Sequence, residues 1–190
     1  MPPAKVFGFA IVGALLWVCA PAVATAQQPP ATAPAYGEQA AALTDPQIAN
    51  IAYTAGVIDI ENARLALKKS HNPAIRAFAR DMIRDHTAVN RKALALVKKL
   101  HVTPQDNPTS QSLVRQSDNV RAELAKMSGK AFDKAYIDNE VAYHKAVNGA
   151  LQNKLIPDAK NPQLKSLLET GLKIFEGHEK HAEQIASRMG

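Results

Sequence analysis

The stretch FARDMIRDH, residues 78–86, decides the fold and poses the first question about function. Apolar residues around it recur every three to four positions, which predicts one strongly amphipathic helix over residues 73–101. His86 falls in the middle of the apolar face, where a titratable ring costs stability unless it has a partner. The other helices must therefore supply that partner. The apolar face consists of Ile75, Phe78, Ala79, Met82, Ile83, His86, Val89, Ala93, Leu96, Val97 and Leu100.

The rest of the chain predicts four more helices, separated by breaks rich in Pro, Gly and Asn. No stretch alternates like a strand, and aromatic residues make up only 5% of a chain in which Ala and Leu dominate. The predicted class is therefore all-α. Three of these helices are long and amphipathic, at 45–70, 129–156 and 162–189, and a shorter, more polar one covers 109–127.

The lengths of the connections predict how the helices are arranged. A short turn joins the helices at 45–70 and 73–101, and another joins those at 129–156 and 162–189, so each pair forms an antiparallel hairpin. The shorter helix lies between the hairpins and spans roughly 28 Å, enough to return along the bundle. We therefore predict a ferritin-like four-helix bundle with an extra short helix in the crossover. A plain up-and-down bundle with a fifth helix laid across it is the alternative.

Residues 1–26 have the pattern of a cleaved signal peptide. Lys5 gives a short positive region, an apolar run covers Val6 to Ala20, and Ala24-Thr25-Ala26 fits the rule for cleavage after Ala26. The apolar run is shorter than the roughly 20 residues that span a bilayer. We therefore predict a periplasmic or secreted protein with no stable membrane span after cleavage. An uncleaved N-terminal anchor is the alternative.

Two further segments complete the predicted domain organisation. Residues 27–44 are rich in Pro, Ala and Gln and almost free of charge, which predicts a disordered tether. Residues 45–190 form the helical domain. The single cysteine, Cys19, is disfavoured as a lipid anchor because the bulky Trp17 and Val18 precede it. Its removal with the signal peptide leaves a mature chain without thiols, which suits an oxidising compartment.

The charge balance gives no support to nucleic-acid binding. The chain has 23 Lys and Arg and 17 Asp and Glu, a net charge of +6 that becomes +5 when Lys5 is cleaved off. The basic residues alternate with acidic ones on outward helix faces, and no basic run contains interleaved aromatic residues. We predict no nucleic-acid partner, whereas the sequence leaves open whether the protein forms a homo-oligomer. No Gly-rich phosphate loop or Gly-x-Ser-x-Gly motif is present.

Each long helix carries an inward polar residue near its middle: Asp59, His86, His144 and His178. Counting residues from the turns places these four side chains within about one helical turn of the same height. Three imidazoles and a carboxylate in an apolar shell suit one transition-metal ion, with Zn, Cu and Fe as candidates. Near the same level lie Glu140, a candidate for a further ligand, and Asn62, Met82 and His181, candidates for groups around the ligands.

The same residues also have an interpretation without a metal. A buried histidine is commonly bonded to a carbonyl or to water, and Asp59 and His86 alone would form a buried ion pair. The favoured interpretation is an exported helical bundle with a non-enzymatic role in metal handling or envelope stress. The alternatives are a mononuclear metalloenzyme, redox or hydrolytic, and a metal-free structural or interaction protein. His71 and His101 lie at predicted helix ends, which indicates surface positions.

Short motifs along the domain carry a family resemblance. They are GVIDIE at 56–61, NPAIRAFA at 72–79, MIRDHT at 82–87, SGKAFDKAY at 128–136 and NPQLK at 161–165, together with His144 and His178. On these motifs the chain resembles the family catalogued as domain of unknown function 4142 (DUF4142). The resemblance implies an exported bacterial protein of ferritin-like fold and does not imply a reaction. The family usually has Glu where this chain has Asp59, whose carboxylate is one methylene shorter.

The chain departs from the ligand pattern of ferritin-like di-iron proteins. Those proteins use Glu from two helices and Glu-x-x-His from the other two. Here Ile83 lies three residues before His86, and Phe175 lies three residues before His178. Because both bridging carboxylates are missing, a di-iron centre is disfavoured and we predict a mononuclear site.

Overall fold

The computed structural model describes residues 42–189, and over these residues the chain is all-helical, as predicted, with no strand. The predicted helix bounds agree with the structure to within three residues, except that the helix predicted over 129–156 is α-helical only to Ala150 and continues as a π-helical turn to Leu155. None of the helices in the described range has an apolar stretch that a membrane span requires. The helices are α1 (Asp45–Lys69), α2 (Pro73–Lys99), α3 (Pro108–Ala125), α4 (Gly129–Ala150), a π-helical turn (Leu151–Leu155), α5 (Ile156–Asp158) and α6 (Pro162–Ala186).

The predictions for the N-terminal part mostly lie outside the described residues. These are the signal peptide at 1–26, its alternative as an anchor, and the lipid attachment at Cys19. Of the predicted tether, the structure describes only residues 42–44, which lead directly into α1. The backbone N–H of Leu43 donates a hydrogen bond to the Asp158 carboxylate at 2.7 Å, so the chain is already attached to the helical domain at this point.

An Asn–Pro pair begins three of the helices. The side-chain oxygens of Asn72, Asn107 and Asn161 accept hydrogen bonds from backbone N–H groups in the first turns of α2, α3 and α6. The proline that follows each asparagine has no N–H to leave unpaired and favours the first helical position. These pairs explain why the helix starts agree so closely with the predicted ones.

Two apolar clusters form the core of the described residues. The first draws on all four long helices, α1, α2, α4 and α6, whereas the second draws on α1, α6 and the π-helical turn that continues α4. The first apolar cluster contains Ala63, Ala66, Ile75, Phe78, Ala79, Met82, Leu124, Phe132, Tyr136, Ile137, Ala182 and Ile185. The second apolar cluster contains Ile48, Ile51, Leu151, Leu155, Ala159, Leu164, Leu168 and Phe175.

The order in which each helix reaches the two clusters gives its direction. Helices α1 and α6 begin in the second cluster and end in the first, whereas α2 and α4 begin in the first cluster and continue toward the second. Thus α2 and α4 run in the same direction, and α1 and α6 run in the opposite one. Helix α3 packs mainly on α1. It contacts the second cluster through Leu113 and the first through Leu124, so it returns along the domain between α2 and α4 in sequence.

Buried polar side chains separate the two clusters on every long helix. We call this set the polar layer; it consists of Asp59, His86, Glu140, His144 and His178. On each helix these residues come between the part that packs in one cluster and the part that packs in the other. The fold therefore places the polar groups at one level, between the two apolar clusters.

Helices α1 and α2 approach each other closely beside this layer. A Cβ atom on Gly56 would lie 2.4 Å from Oδ1 of Asn90, closer than any real contact. Asn90 is buried, and its amide donates a hydrogen bond to the backbone oxygen of Tyr53 at 3.5 Å. Only glycine at position 56 leaves room for this arrangement.

We expect Gly56→Ala to destabilise the protein by about 1–3 kcal/mol, because the added methyl group displaces the buried Asn90 side chain. Gly177→Ala is the matched control. It lies inside α6, where an added Cβ meets nothing within 4 Å, and the ordinary helix preference for Ala should stabilise it by ~0.5–1 kcal/mol. Urea unfolding followed by circular dichroism measures both changes. Equal stabilities for the two variants would contradict the close approach.

Candidate metal centre

The polar layer brings together all four residues that the helix count placed at one height. Asp59 comes from α1, His86 from α2, His144 from α4 and His178 from α6, with exposures of 1%, 1%, 1% and 7%. Glu140, one turn before His144 on α4, is fully buried beside them. The layer thus contains three imidazoles and two carboxyl groups, one more carboxyl than the four-residue prediction required.

The five side chains form two overlapping triads that share His144. In one triad the ligand atoms of His86, His144 and His178 all lie within 4.8 Å of one another, and in the other so do those of Asp59, Glu140 and His144. The two triads also meet where His86 Nε2 lies 3.4 Å from Asp59 Oδ2. Two ligands of a tetrahedral ion with bonds of about 2.0–2.1 Å lie about 3.4 Å apart. The ligand atoms of each triad are therefore close enough for a metal ion to bind them if the side chains move closer together.

A backbone carbonyl determines which nitrogen of His144 faces the layer. His144 Nδ1 lies 2.9 Å from the carbonyl oxygen of Glu140. A carbonyl only accepts hydrogen bonds, so Nδ1 carries the proton and Nε2 has the free lone pair. Nε2 is buried and has no hydrogen-bond partner among the described residues. This lone pair is available as a metal ligand.

The carboxylate of Asp85 determines which nitrogen of His178 faces the layer. His178 Nε2 lies 3.0 Å from Asp85 Oδ2, and Arg84, through its hydrogen bonds, keeps the pKa of Asp85 below its ordinary value. The ionised carboxylate accepts a hydrogen bond from Nε2, so Nδ1 keeps its lone pair. Within the described part of the chain, Nδ1 is buried without a partner. Pairs of this kind, in which a carboxylate orients a histidine, are common around metal ligands.

Aromatic packing holds the ring of His86. It stacks on Phe175 with a centroid distance of 4.5 Å and an interplanar angle of 6°. The rings of His144 and His178 lie 5.8 Å and 5.3 Å from it. Neither nitrogen of His86 has a hydrogen-bond partner in the range 42–189. Phe175, which occupies the position of a bridging carboxylate in di-iron proteins, thus fixes the plane of a candidate ligand.

Burial makes the uncharged forms of the polar layer favourable. Burial lowers the pKa of His86 well below its ordinary value, and the neighbouring imidazoles lower it further. Burial also lowers the pKa of His144 to about 4. The same burial raises the pKa of Glu140 to about 8. It raises the pKa of Asp59 well above its ordinary value, and the charge of Glu140 raises it further. At neutral pH the imidazoles are therefore neutral, the form that binds metals, while protons compete for the carboxylates.

The three residues predicted to surround the ligands lie close to the layer but outside both triads. Asn62 is buried one turn after Asp59. Met82 is buried in the first apolar cluster, one turn before His86. His181 is half-buried, with its ring 5.4 Å from that of Phe78.

The two remaining histidines, His71 and His101, are exposed at helix ends, as predicted. They therefore offer matched controls for substitutions in the polar layer.

Sequence reasoning missed several groups that contact the layer. Tyr136 is fully buried four residues before Glu140, and burial together with the charges of Glu140 and Asp59 raises the pKa of its phenol. Tyr143 donates a hydrogen bond to the backbone oxygen of Ala55 at 3.1 Å. The spacing of Tyr136 from Glu140 is a helical i, i+4 pair and was a usable signal. Asp85 had no such signal, because it lies at the edge of the apolar face.

Comparisons with known proteins agree with the sequence resemblance. The chain belongs to the family described as domain of unknown function (DUF4142), whose model matches residues 29–185, and this confirms the prediction of the family. No curated protein gives a significant match.

Solved structures with a similar fold include the following two. One is the crystal structure of a DUF305 fragment from Deinococcus radiodurans, with a TM-score of 0.65 and 14% identity over 78% of this chain and 99% of that one. The other is CopM in the Cu(II)-bound form, with a TM-score of 0.58 and 18% identity over 77% of this chain and 98% of that one. At these identities the likeness extends to the fold alone.

We expect Glu140→Gln to change how the stability of the metal-free protein depends on pH. Burial raises the pKa of Glu140 from 4.5 to about 8, so between these values the folded state keeps a proton that the unfolded state has released. The wild type should therefore lose up to about 1.4 kcal/mol of unfolding free energy per pH unit, relative to the variant, as the pH rises through this range. Urea unfolding in the presence of a chelator measures the difference. A constant difference between about pH 5 and pH 8 would show that Glu140 does not titrate in this way.

Proposed function

We propose that this protein binds one transition-metal ion in the polar layer and serves in metal handling or envelope stress rather than in catalysis. His86, His144 and His178 would supply three nitrogen ligands, and Asp59 a carboxylate, with Glu140 as a further oxygen ligand. The observation that carries the proposal is the arrangement of hydrogen bonds around the imidazoles. In His144 and His178 one nitrogen is bonded to an acceptor, and the other, buried nitrogen has no partner among residues 42–189.

The charge of the layer supports a single ion. Asp59 and Glu140 together carry two negative charges once they lose their protons, which balances one divalent cation. A second dication would add two positive charges in a region where burial already penalises charge. Ile83 and Phe175 occupy the positions where di-iron proteins carry bridging carboxylates. A mononuclear site is therefore the better match to these residues.

Copper and zinc are the first metals to test. Imidazole nitrogens suit Zn and Cu as well as Fe, and a mixed set of nitrogen and carboxylate ligands excludes none of them. CopM, which has a similar fold, was determined in the Cu(II)-bound form. That likeness supports trying Cu(II) first, with Zn(II) as the comparison because it undergoes no redox change.

The topology supports a ferritin-like arrangement for the same domain. In such bundles two antiparallel hairpins are joined by one long crossover. The parallel course of α2 and α4, and the position of α3 between them in sequence, agree with this arrangement. Metal sites of ferritin-like bundles lie in the core and take their ligands from facing helices, as the polar layer would.

The burial of the layer favours binding over catalysis. A metalloenzyme needs an open coordination position that a substrate reaches from solvent. Two surface cavities in the described part of the chain, one of about 330 Å³ between α1 and α2, contain none of the five polar-layer residues. The exported location follows from the signal-peptide pattern at 1–26 and is part of the proposal.

The test is elemental analysis of protein purified without a His tag and loaded with Cu(II) or Zn(II). We expect about one ion per wild-type chain, and a drop of roughly tenfold or more for His86→Ala and for His144→Ala, because each loses a ligand from a small set. His71→Ala is the matched control, since His71 is exposed, and it should bind like the wild type. Circular dichroism establishes that each variant is folded. Binding below one ion per ten chains, or binding that the two substitutions leave unchanged, would refute the site.

A further inference from the structure

We propose that Asp85 is a positioning residue: its carboxylate holds the proton of His178 on Nε2 and so directs the Nδ1 lone pair into the polar layer. The inference rests on the proposed function for its effect on metal affinity. Its effect on the imidazole itself is independent of any metal. Asp85 lies next to His86 in the sequence, yet it contacts the site from outside, through the histidine of another helix.

A chain of charged contacts runs from the surface to His178. Arg84 donates to both oxygens of the Asp85 carboxylate, at 2.7 Å and 2.9 Å, and to Asp81 at 2.6 Å. Asp85 in turn accepts from His178 Nε2 at 3.0 Å. The side chain of Asp85 is 25% exposed and that of His178 only 9%. The carboxylate is therefore ionised and hydrated on one side, and reaches the buried ring on the other.

The choice of nitrogen follows from what each partner can accept. An ionised carboxylate has no proton to donate, so the contact requires an N–H on Nε2. If Nδ1 were protonated as well, its N–H would point into the layer without a hydrogen-bond acceptor among residues 42–189. An unpaired buried donor of this kind is unfavourable, because the N–H group loses its hydrogen bond to water and gains none in the protein. The neutral ring with its proton on Nε2 is thus the form that the structure accommodates.

The three imidazoles of the layer are held in three different ways. His144 is fixed by a backbone carbonyl on its own helix, and His86 by stacking on Phe175. His178 depends on a side chain from α2, so a single substitution can release it without altering any backbone. A substitution of Asp85 therefore tests the orientation of His178 without removing this candidate ligand.

The primary experiment is nitrogen-15 NMR of the histidine rings in the metal-free protein. We expect the wild type to show His178 with its proton on Nε2, and Asp85→Ala to show a mixture of the two neutral forms, because the acceptor is gone. Arg84→Ala removes the same ion pair from the other side but leaves the carboxylate, so His178 should keep its wild-type form. If both variants behave alike, or if Asp85→Ala leaves the spectrum unchanged, the positioning role is wrong.

The second measurement is the affinity for Cu(II), by competition with a chelator of known strength. Asp85→Ala should weaken binding by about 10–100-fold, the usual effect of removing a group that orients a metal-binding histidine. Asp81→Ala is the matched control, since Asp81 contacts Arg84 but not His178, and it should stay within about twofold of the wild type. Wild-type affinity in Asp85→Ala would overturn the inference while leaving the metal site intact. If wild-type protein binds no metal, the proposed function fails, and the NMR result alone decides the role of Asp85.

Discussion

Burying ionisable side chains between two apolar clusters is the constraint on which the rest of the structure depends. A charged group in such surroundings is costly unless it is paired, protonated or bound to a metal. The polar layer meets this constraint in each of its members. The imidazoles are neutral, Glu140 keeps its proton up to a pH of about 8, and two of the three rings have a hydrogen bond on one nitrogen. What is left over is a set of lone pairs that point inward, and these make the layer a candidate for binding a cation.

Much of this arrangement was predictable because it depends on the periodicity of the apolar residues and on the residues that begin each helix. Apolar residues at helical spacing and Asn–Pro pairs at helix starts are local signals, and the helix bounds follow from them. The common height of Asp59, His86, His144 and His178 followed from counting residues between the turns, since the rise per residue in a helix is constant. Glu140 could be added because one turn separates it from His144. The all-helical class and the family were predicted in the same way and are confirmed.

The groups that orient the layer were harder to predict, because they depend on how the helices are rotated against one another. Asp85 reaches His178 across the contact between α2 and α6, and no spacing within either helix encodes that contact. In the sequence, Phe175 shows only that a carboxylate is missing from this position, whereas in the structure its ring stacks on His86. Periodicity gives the face of a helix to within about one residue, and side-chain partners require better than that.

The division of the core by the polar layer has a consequence for the cooperativity of unfolding. Each apolar cluster is held together by its own packing, and the metal-free layer between them contributes weaker, partly unsatisfied contacts. Such a boundary separates a domain into units whose amide protons exchange with different opening free energies. An ion ligated from all four long helices would join the two units, and its binding energy would then appear as a single, higher opening free energy for both. The layer would in that case govern whether the two ends of the domain open separately or together.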